Sequence, residues 1–237
     1  MLRDRFKGIL GGPLAAAGNG GAAASGVPSP HAPAAPVRRP PGGEISYTRH
    51  SHGLDQFFSY IKDRSGLSIL DLGETTQANV LFVTSLGHRV YSEDFLRSLD
   101  AAFGVDDFAE QSHPAGIELF LRQNLNYEAG QFDGVLVWDV LQYMAPPLLA
   151  AVLERLHQIV KPKSYLLAMF HAQERKGPLP CFTFRISDAR TLLLTERGLR
   201  QPSQSFNNRA LEKLFQQFDS IKFFLTREQL REVIVKR

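Results

Sequence analysis

Apolar and polar residues of this chain repeat in the order strand, turn, helix, strand, most clearly within residues 67–94. The short apolar run at 69–72 suits a buried strand, and it stops at Gly73. The apolar spacing over 79–86 predicts a helix that packs on a sheet, and the pattern at 89–91 predicts a second strand. This order is typical of the first unit of a doubly wound α/β domain, in which ligands bind at the carboxyl ends of the strands.

The same kind of pattern continues to the C-terminus. The run FDGVLVWD, at 132–139, is apolar almost throughout and predicts a strand of a parallel sheet that is covered on both faces. The last two strands lie close together in sequence, which favours an antiparallel pair because a parallel pair needs a longer crossover. The other predicted helices cover 54–61, 95–103, 146–159 and 211–218. The other predicted strands cover 164–170, a hairpin at 182–186 and 191–195, and the closing pair at 221–225 and 232–236.

Residues 104–131 leave two interpretations open. In the first, Ile117 and Phe120 lie on a helix that is followed by a short third strand at 125–127. In the second, one longer strand covers 119–125, and periodicity alone does not decide between them. With either, the chain predicts an α/β fold: a Rossmann-like doubly wound sheet of about seven strands, mostly parallel, with an antiparallel C-terminal strand.

The first 43 residues differ in composition from the rest, because Gly, Ala and Pro dominate them. Such a segment buries too little apolar surface to offset the entropy of ordering it, so we predict a disordered tail at 1–43 and one domain at 44–237. A weak export signal is the alternative, since three basic residues precede a short apolar run. Two glycines and a proline interrupt that run, which favours the tail.

Charge and cysteine content argue against several classes of function. The net charge is +3 and the pI is near 9.1, but the excess of basic residues lies in 1–43. The predicted domain is therefore close to neutral, and no nucleic-acid partner is indicated. The single cysteine, Cys181, excludes an internal disulfide and a cysteine-based zinc site, and we predict no metal. No apolar run approaches the roughly 18 residues of a membrane helix, so we expect a cytoplasmic protein with no membrane partner.

From Ser46 to the C-terminus, the chain resembles the class I S-adenosylmethionine-dependent methyltransferases. The resemblance rests on Asp71-Leu72-Gly73 after the first strand, an acid after the second, FDGVLVWD as the fourth, and VKPKSYLL as the turn and strand that follow. It implies a sheet of seven strands with the last one antiparallel, S-adenosylmethionine as cofactor, and a small-molecule acceptor. We find no catalytic dyad or triad, so the catalytic residues stay unassigned.

The resemblance also assigns cofactor-binding residues. Asp71, Gly73 and Glu74 occupy the place of an acidic, glycine-rich loop that contacts the amino-acid part of the cofactor. Glu93 or Asp94 matches the acid that holds the two ribose hydroxyls, a role that needs a carboxylate at the tip of a strand.

Three further residues complete the implied site. Asn124, with Leu125, falls where the family holds the adenine amino group, and the Asn carbonyl can accept that hydrogen bond. Asp139 follows the fourth strand, where the family lines the pocket between cofactor and acceptor. Burying Asp139 without a partner would be costly, which also favours a role in a site.

The loop departs from the family pattern D-L-G-x-G-x-G, because here it reads D-L-G-E-T-T-Q from Asp71. Two of three glycines are missing, and threonine is poor at the positive φ that such a loop uses. Two hypotheses therefore stand: an S-adenosylmethionine-dependent methyltransferase, or a catalytically degenerate methyltransferase-like binding module. A nicotinamide-dependent oxidoreductase is weaker, because the glycine fingerprint is missing and Glu74 would place negative charge beside a pyrophosphate.

Overall fold

The computed structural model describes residues 45–172, 177–224 and 230–237 of the 237-residue chain. The expectations for residues 1–43, a tail or an export signal, lie outside the described residues. The helices are α1 (His52–Ser59), α2 (Gln77–Ser85), α3 (Phe95–Phe103), α4 (Pro114–Asn124), α5 (Pro146–Ile159) and α6 (Asn208–Leu214). The strands are β1 (Ser46–His50), β2 (Ser68–Asp71), β3 (Arg89–Ser92), β4 (Phe132–Trp138), β5 (Val160–His171), β6 (Leu179–Asp188), β7 (Thr191–Arg200), β8 (Ser220–Phe224) and β9 (Leu230–Lys236). In this described part, no helix combines the length and apolar character that crossing a membrane requires.

The larger sheet has six strands in the order β3-β2-β4-β5-β9-β8. Its first four strands run parallel to one another, while β9 runs antiparallel to both β5 and β8. The prediction of a mostly parallel, doubly wound sheet with an antiparallel C-terminal strand is confirmed. The predicted closing strand at 221–225 appears as β8, and its last residue, Leu225, lies outside the described residues.

The described sheet has no third strand at 125–127, so the expected count of about seven becomes six. Residues 114–124 form α4, which decides the earlier ambiguity in favour of a helix. Leu125 ends that helix and is fully buried in the core. The Arg155 side chain on α5 donates hydrogen bonds to the carbonyls of Leu125 and Tyr127. Side-chain donors therefore satisfy backbone groups that a neighbouring strand would otherwise bond.

A second sheet of three antiparallel strands has the order β1-β7-β6. The predicted hairpin is confirmed, and its strands are longer than predicted. Sequence patterning missed β1, because four of its five residues are partly or fully exposed and only Arg49 is buried. The pairing of β1 with β7, between residues distant in the sequence, is what makes this polar segment a strand.

Apolar cores fill both faces of the six-stranded sheet. One core lies between the sheet and helices α3, α4, α5 and α6. The other lies between the sheet, helices α1 and α2, and the three-stranded sheet. Gly134 on β4 allows one close contact in the second core, since a Cβ there would lie 2.7 Å from Phe57 Cζ.

A buried ion pair connects the two sheets. Arg49 Nη2 on β1 donates to Glu232 Oε1 on β9 over 2.8 Å, and Glu232 Oε2 accepts from the backbone N–H of Gly53 over 2.6 Å. Arg49 is 2% exposed and Glu232 is fully buried. Because buried charges need close partners, this contact fixes where β1 and the start of α1 meet β9.

We expect Glu232→Ala to lower the free energy of unfolding by about 3–5 kcal/mol, because it leaves the buried Arg49 guanidinium without its carboxylate. Urea unfolding of the full chain measures this. Glu118→Ala, at an exposed position of α4, serves as the control and should change stability by less than about 0.5 kcal/mol. Equal stability losses in the two variants would show that the ion pair has no such role.

Candidate functional site

The carboxyl ends of β2, β3 and β4 meet at one edge of the six-stranded sheet, and the hairpin of β6 and β7 lies over them. A narrow cleft separates the hairpin from this edge. Besides Gly73, its polar and aromatic lining residues are Glu74, Asp94, Trp138, Asp139, Phe182, Phe184 and Arg197. The cleft holds only about 10 Å³, which is no more than the space that one water molecule needs.

Asp71, the last residue of β2, is fully buried directly behind the cleft. Its Oδ1 accepts hydrogen bonds from Trp138 Nε1 over 2.6 Å and from the N–H of Gly73 over 3.0 Å. Its Oδ2 accepts from Asn79 Nδ2 over 3.0 Å. Burial raises the pKa of Asp71, and the bonds from Trp138, Gly73 and Asn79 act in the opposite direction. The carboxyl group is thus held by donors from β4, the β2–α2 turn and α2.

Trp138 fills the space above the β2–α2 turn. Its backbone has a φ of 57°, which is uncommon for a residue with a side chain, and the register of β4 against β5 shifts between Leu136 and Trp138. The indole stacks on Phe184 of the hairpin, with ring centroids 4.9 Å apart and planes 10° apart. A Cβ on Gly73 would lie 2.6 Å from Trp138 Cδ1, so only glycine fits beneath this ring.

The predicted acidic residues at the rim of the cleft contact the hairpin. The Thr183 hydroxyl donates a hydrogen bond to the Glu74 carboxylate. Arg197 Nη2 lies 3.3 Å from Asp94 Oδ2, and Asp94 also caps α3 by accepting from the N–H of Arg97. The loop after β2, through Glu74, and the segment after β3, through Asp94, are therefore each joined to the hairpin.

Glu93 and the predicted adenine residues have partners away from the cleft. Glu93 Oε1 accepts from the Tyr127 hydroxyl over 3.1 Å, and burial together with Glu93 raises the pKa of Tyr127. Asn124, the last residue of α4, donates to the carbonyl of Phe120, and Leu125 is buried in the core. The structure thus brings Gly73, Glu74, Asp94 and Asp139 together at the cleft, but not Glu93, Asn124 or Leu125.

Asp139 follows β4, lines the cleft and is 4% exposed. Burial raises its pKa to about 7, although the backbone N–H of Phe182 and the charge of Arg197 act against that rise. The Tyr143 hydroxyl lies 3.5 Å from Asp139 Oδ2, and the Cys181 thiol, whose pKa burial raises to about 11, is close by. A carboxyl group with a pKa near 7 can both take up and release a proton at neutral pH.

S-adenosylmethionine does not fit the cleft in this conformation. Sites for ligands of that size commonly measure about 300–1,000 Å³, far more than the space found here. The turn at Gly73, which the resemblance assigns to the amino-acid part of the cofactor, is covered by the indole of Trp138. The oxygens of Asp71 already accept from three donors. Binding would require Trp138 and the hairpin to move.

Sequence analysis missed the hairpin's part in this site. Phe182, Phe184 and Arg197 line the cleft, and Thr183 bonds to its rim, yet none of these residues was predicted to do so. The available signal was their position after the strand β5, because that strand ends at the same edge of the sheet as β4.

Comparisons with known proteins gave matches among solved structures alone. No protein-family model matches the chain, and no curated protein matches it in sequence. A SAM-dependent methyltransferase of Archaeoglobus fulgidus is 14% identical with a TM-score of 0.46. The match covers 78% of the present chain and 91% of the methyltransferase chain.

Two further solved structures are similar to a comparable degree. The S-adenosylmethionine-dependent methyltransferase of Mesorhizobium loti is 11% identical with a TM-score of 0.45, over 77% of this chain and 96% of its own. The 1,6-didemethyltoxoflavin-N1-methyltransferase of Burkholderia thailandensis, with 1,6-didemethyltoxoflavin and S-adenosylhomocysteine bound, is 14% identical with a TM-score of 0.42. This match covers 78% of the present chain and 76% of the methyltransferase chain. Similarity at this level does not by itself carry an activity over to this chain.

The raised pKa of Asp139 predicts a pH dependence of stability. Unfolded aspartate ionises near pH 3.9, so between about pH 4 and pH 7 the unfolded chain loses a proton that the folded chain keeps. The free energy of unfolding should fall by up to about 1.4 kcal/mol per pH unit across this window and level off above it. Urea unfolding of the wild type and Asp139→Asn from about pH 5 to pH 8 isolates this effect, because the other ionisable groups are shared. A stability difference that is constant with pH would contradict the assignment.

Proposed function

We propose that this chain is an S-adenosylmethionine-dependent methyltransferase that acts on a small molecule at the carboxyl edge of its six-stranded sheet. The observation that carries the proposal is the placement of acidic side chains after three adjacent parallel strands. Asp71 ends β2, Glu93 and Asp94 follow β3, and Asp139 follows β4. In doubly wound sheets this edge is where ligands bind.

The proposal gives distinct roles to these side chains. Glu93 or Asp94 binds the ribose of the cofactor, as the sequence resemblance implies. Asp94 already lines the cleft, whereas Glu93 would first release the hydroxyl of Tyr127. Asp139 lines the cleft and is buried, with a pKa near 7, and is suited to take a proton from a nitrogen or oxygen of the acceptor. The hairpin of β6 and β7 covers the edge and excludes water from it.

A specific observation favours a second candidate, a catalytically degenerate binding module. The indole of Trp138 and the ring of Phe184 occupy the space above Gly73, and two of the three loop glycines are missing. In this second candidate the cleft stays closed, and the surface of the domain rather than its cleft contacts the binding partner.

Titration calorimetry of the full chain with S-adenosylhomocysteine tests the proposal. We expect saturable binding with a Kd below about 1 mM. Glu93→Ala should weaken binding by about tenfold or more, because a carboxylate that accepts hydrogen bonds contributes about 1.5–3 kcal/mol. Asp71→Ala is less informative, because that side chain is buried among three donors.

Glu118→Ala, an exposed acid on α4, is the matched control and should leave Kd unchanged. A wild-type chain that shows no binding heat at millimolar ligand would contradict the proposal and favour the second candidate. Equal affinity in Glu93→Ala and the control would remove Glu93 from the site.

A further inference from the structure

The closed cleft is held by two different sets of contacts. The inner set is aromatic: Trp138 lies on Gly73, stacks on Phe184 and donates to Asp71. The outer set is polar and lies at the rim, where Thr183 bonds to Glu74 and Arg197 pairs with Asp94. We name the indole of Trp138 the plug and the two rim contacts the latch.

The plug takes its position from the backbone of β4. The positive φ of Trp138 and the register shift beside it turn the side chain across the sheet edge toward β2. There the indole N–H supplies one of the three donors that the buried Asp71 carboxylate accepts. Because an unsatisfied buried carboxylate is costly, Asp71 favours the plugged arrangement until another donor replaces the indole.

The latch is weaker than the plug. Side chains of Arg197 and Asp94 are 27% and 22% exposed, so solvent screens their attraction. Asn79 adds two bonds near the turn of the hairpin, donating to the carbonyl of Phe184 and accepting from the N–H of Ile186. When the latch contacts break, the turn end of the hairpin therefore stays attached to α2 at Asn79.

We infer that the plug and latch form an autoinhibitory closure, which keeps the cofactor cleft shut until a ligand with its own donor for Asp71 displaces Trp138. This inference rests on the proposed function. Only open molecules can bind such a ligand, and they are a small fraction of the total. The apparent affinity is therefore weaker than that of the open form, in proportion to this fraction. S-adenosylhomocysteine is a suitable probe, because its amino group can replace the indole N–H and it needs no acceptor.

The test compares S-adenosylhomocysteine affinity by calorimetry in the full-length wild type and in Thr183→Val/Arg197→Gln, which removes both latch contacts. We expect the double variant to bind about tenfold tighter, because a larger fraction of it is open. Arg190→Gln is the matched control: Arg190 lies in the exposed turn of the same hairpin, 3.9 Å from Asp55, and should leave Kd unchanged.

Trp138→Phe tests the plug itself, since it removes the indole donor and keeps an aromatic ring. We expect it, too, to bind about tenfold tighter, and its thermal unfolding shows whether it folds. If Trp138→Phe does not fold, the comparison of the latch variant with the wild type alone tests the closure.

Three outcomes separate the closure from the proposed function. Tighter binding in the latch variant than in the wild type supports the closure. Equal affinity in the wild type and the folded variants overturns the closure and leaves the proposed function standing. No binding in any of the folded proteins contradicts both, and favours the degenerate module.

Discussion

The buried carboxylate of Asp71 is the interaction on which the functional end of this molecule depends. A carboxylate enclosed by protein is stable only if donors satisfy its oxygens, and here the donors come from the turn at Gly73, from Asn79 on α2 and from Trp138 on β4. Asn79 also bonds the hairpin at Phe184 and Ile186. Asp71, through its bonds to Trp138 and Asn79, therefore determines how β2, α2, β4 and the β6–β7 hairpin lie together.

This network explains why the cleft is closed although its acids occupy the expected edge. Methyltransferase-like loops are rich in glycine where the backbone approaches the cofactor, and in this chain two of those glycines are absent. The remaining one, Gly73, is needed for another reason, since it lets the indole of Trp138 lie against the turn. The same glycine thus supports an internal contact in the closed state and would leave room for a ligand in an open one.

The sequence predicted most of the elements because their apolar patterns are strong and local. Helix α3 has the predicted bounds, Phe95–Phe103, because its apolar stripe and its cap at Asp94 lie within the segment itself. The strand β1 was missed because only its long-range pairing with β7 makes it a strand. One of the two interpretations of residues 104–131 placed a third strand at 125–127, but Leu125 fills the core at the end of α4.

The site was harder to predict for the same physical reason. The acidic positions could be located at strand ends from the chain alone, but their partners come from residues that are distant in sequence. Arg197 is 103 residues from Asp94, and Thr183 is 109 residues from Glu74. The direction of the Trp138 side chain depends on a positive φ that no local pattern indicates. Sequence therefore located the edge of the site, while tertiary contacts decide whether that edge is open.

The most direct measurement of the central claim is the fluorescence of Trp138, which is the single tryptophan of the chain. In the full-length protein without ligand, we predict a blue-shifted emission and weak quenching by acrylamide, because the indole is 1% exposed. Emission and quenching close to those of free tryptophan would show that the indole lies in solvent, and would contradict the account of a cleft that the chain closes with its own side chain.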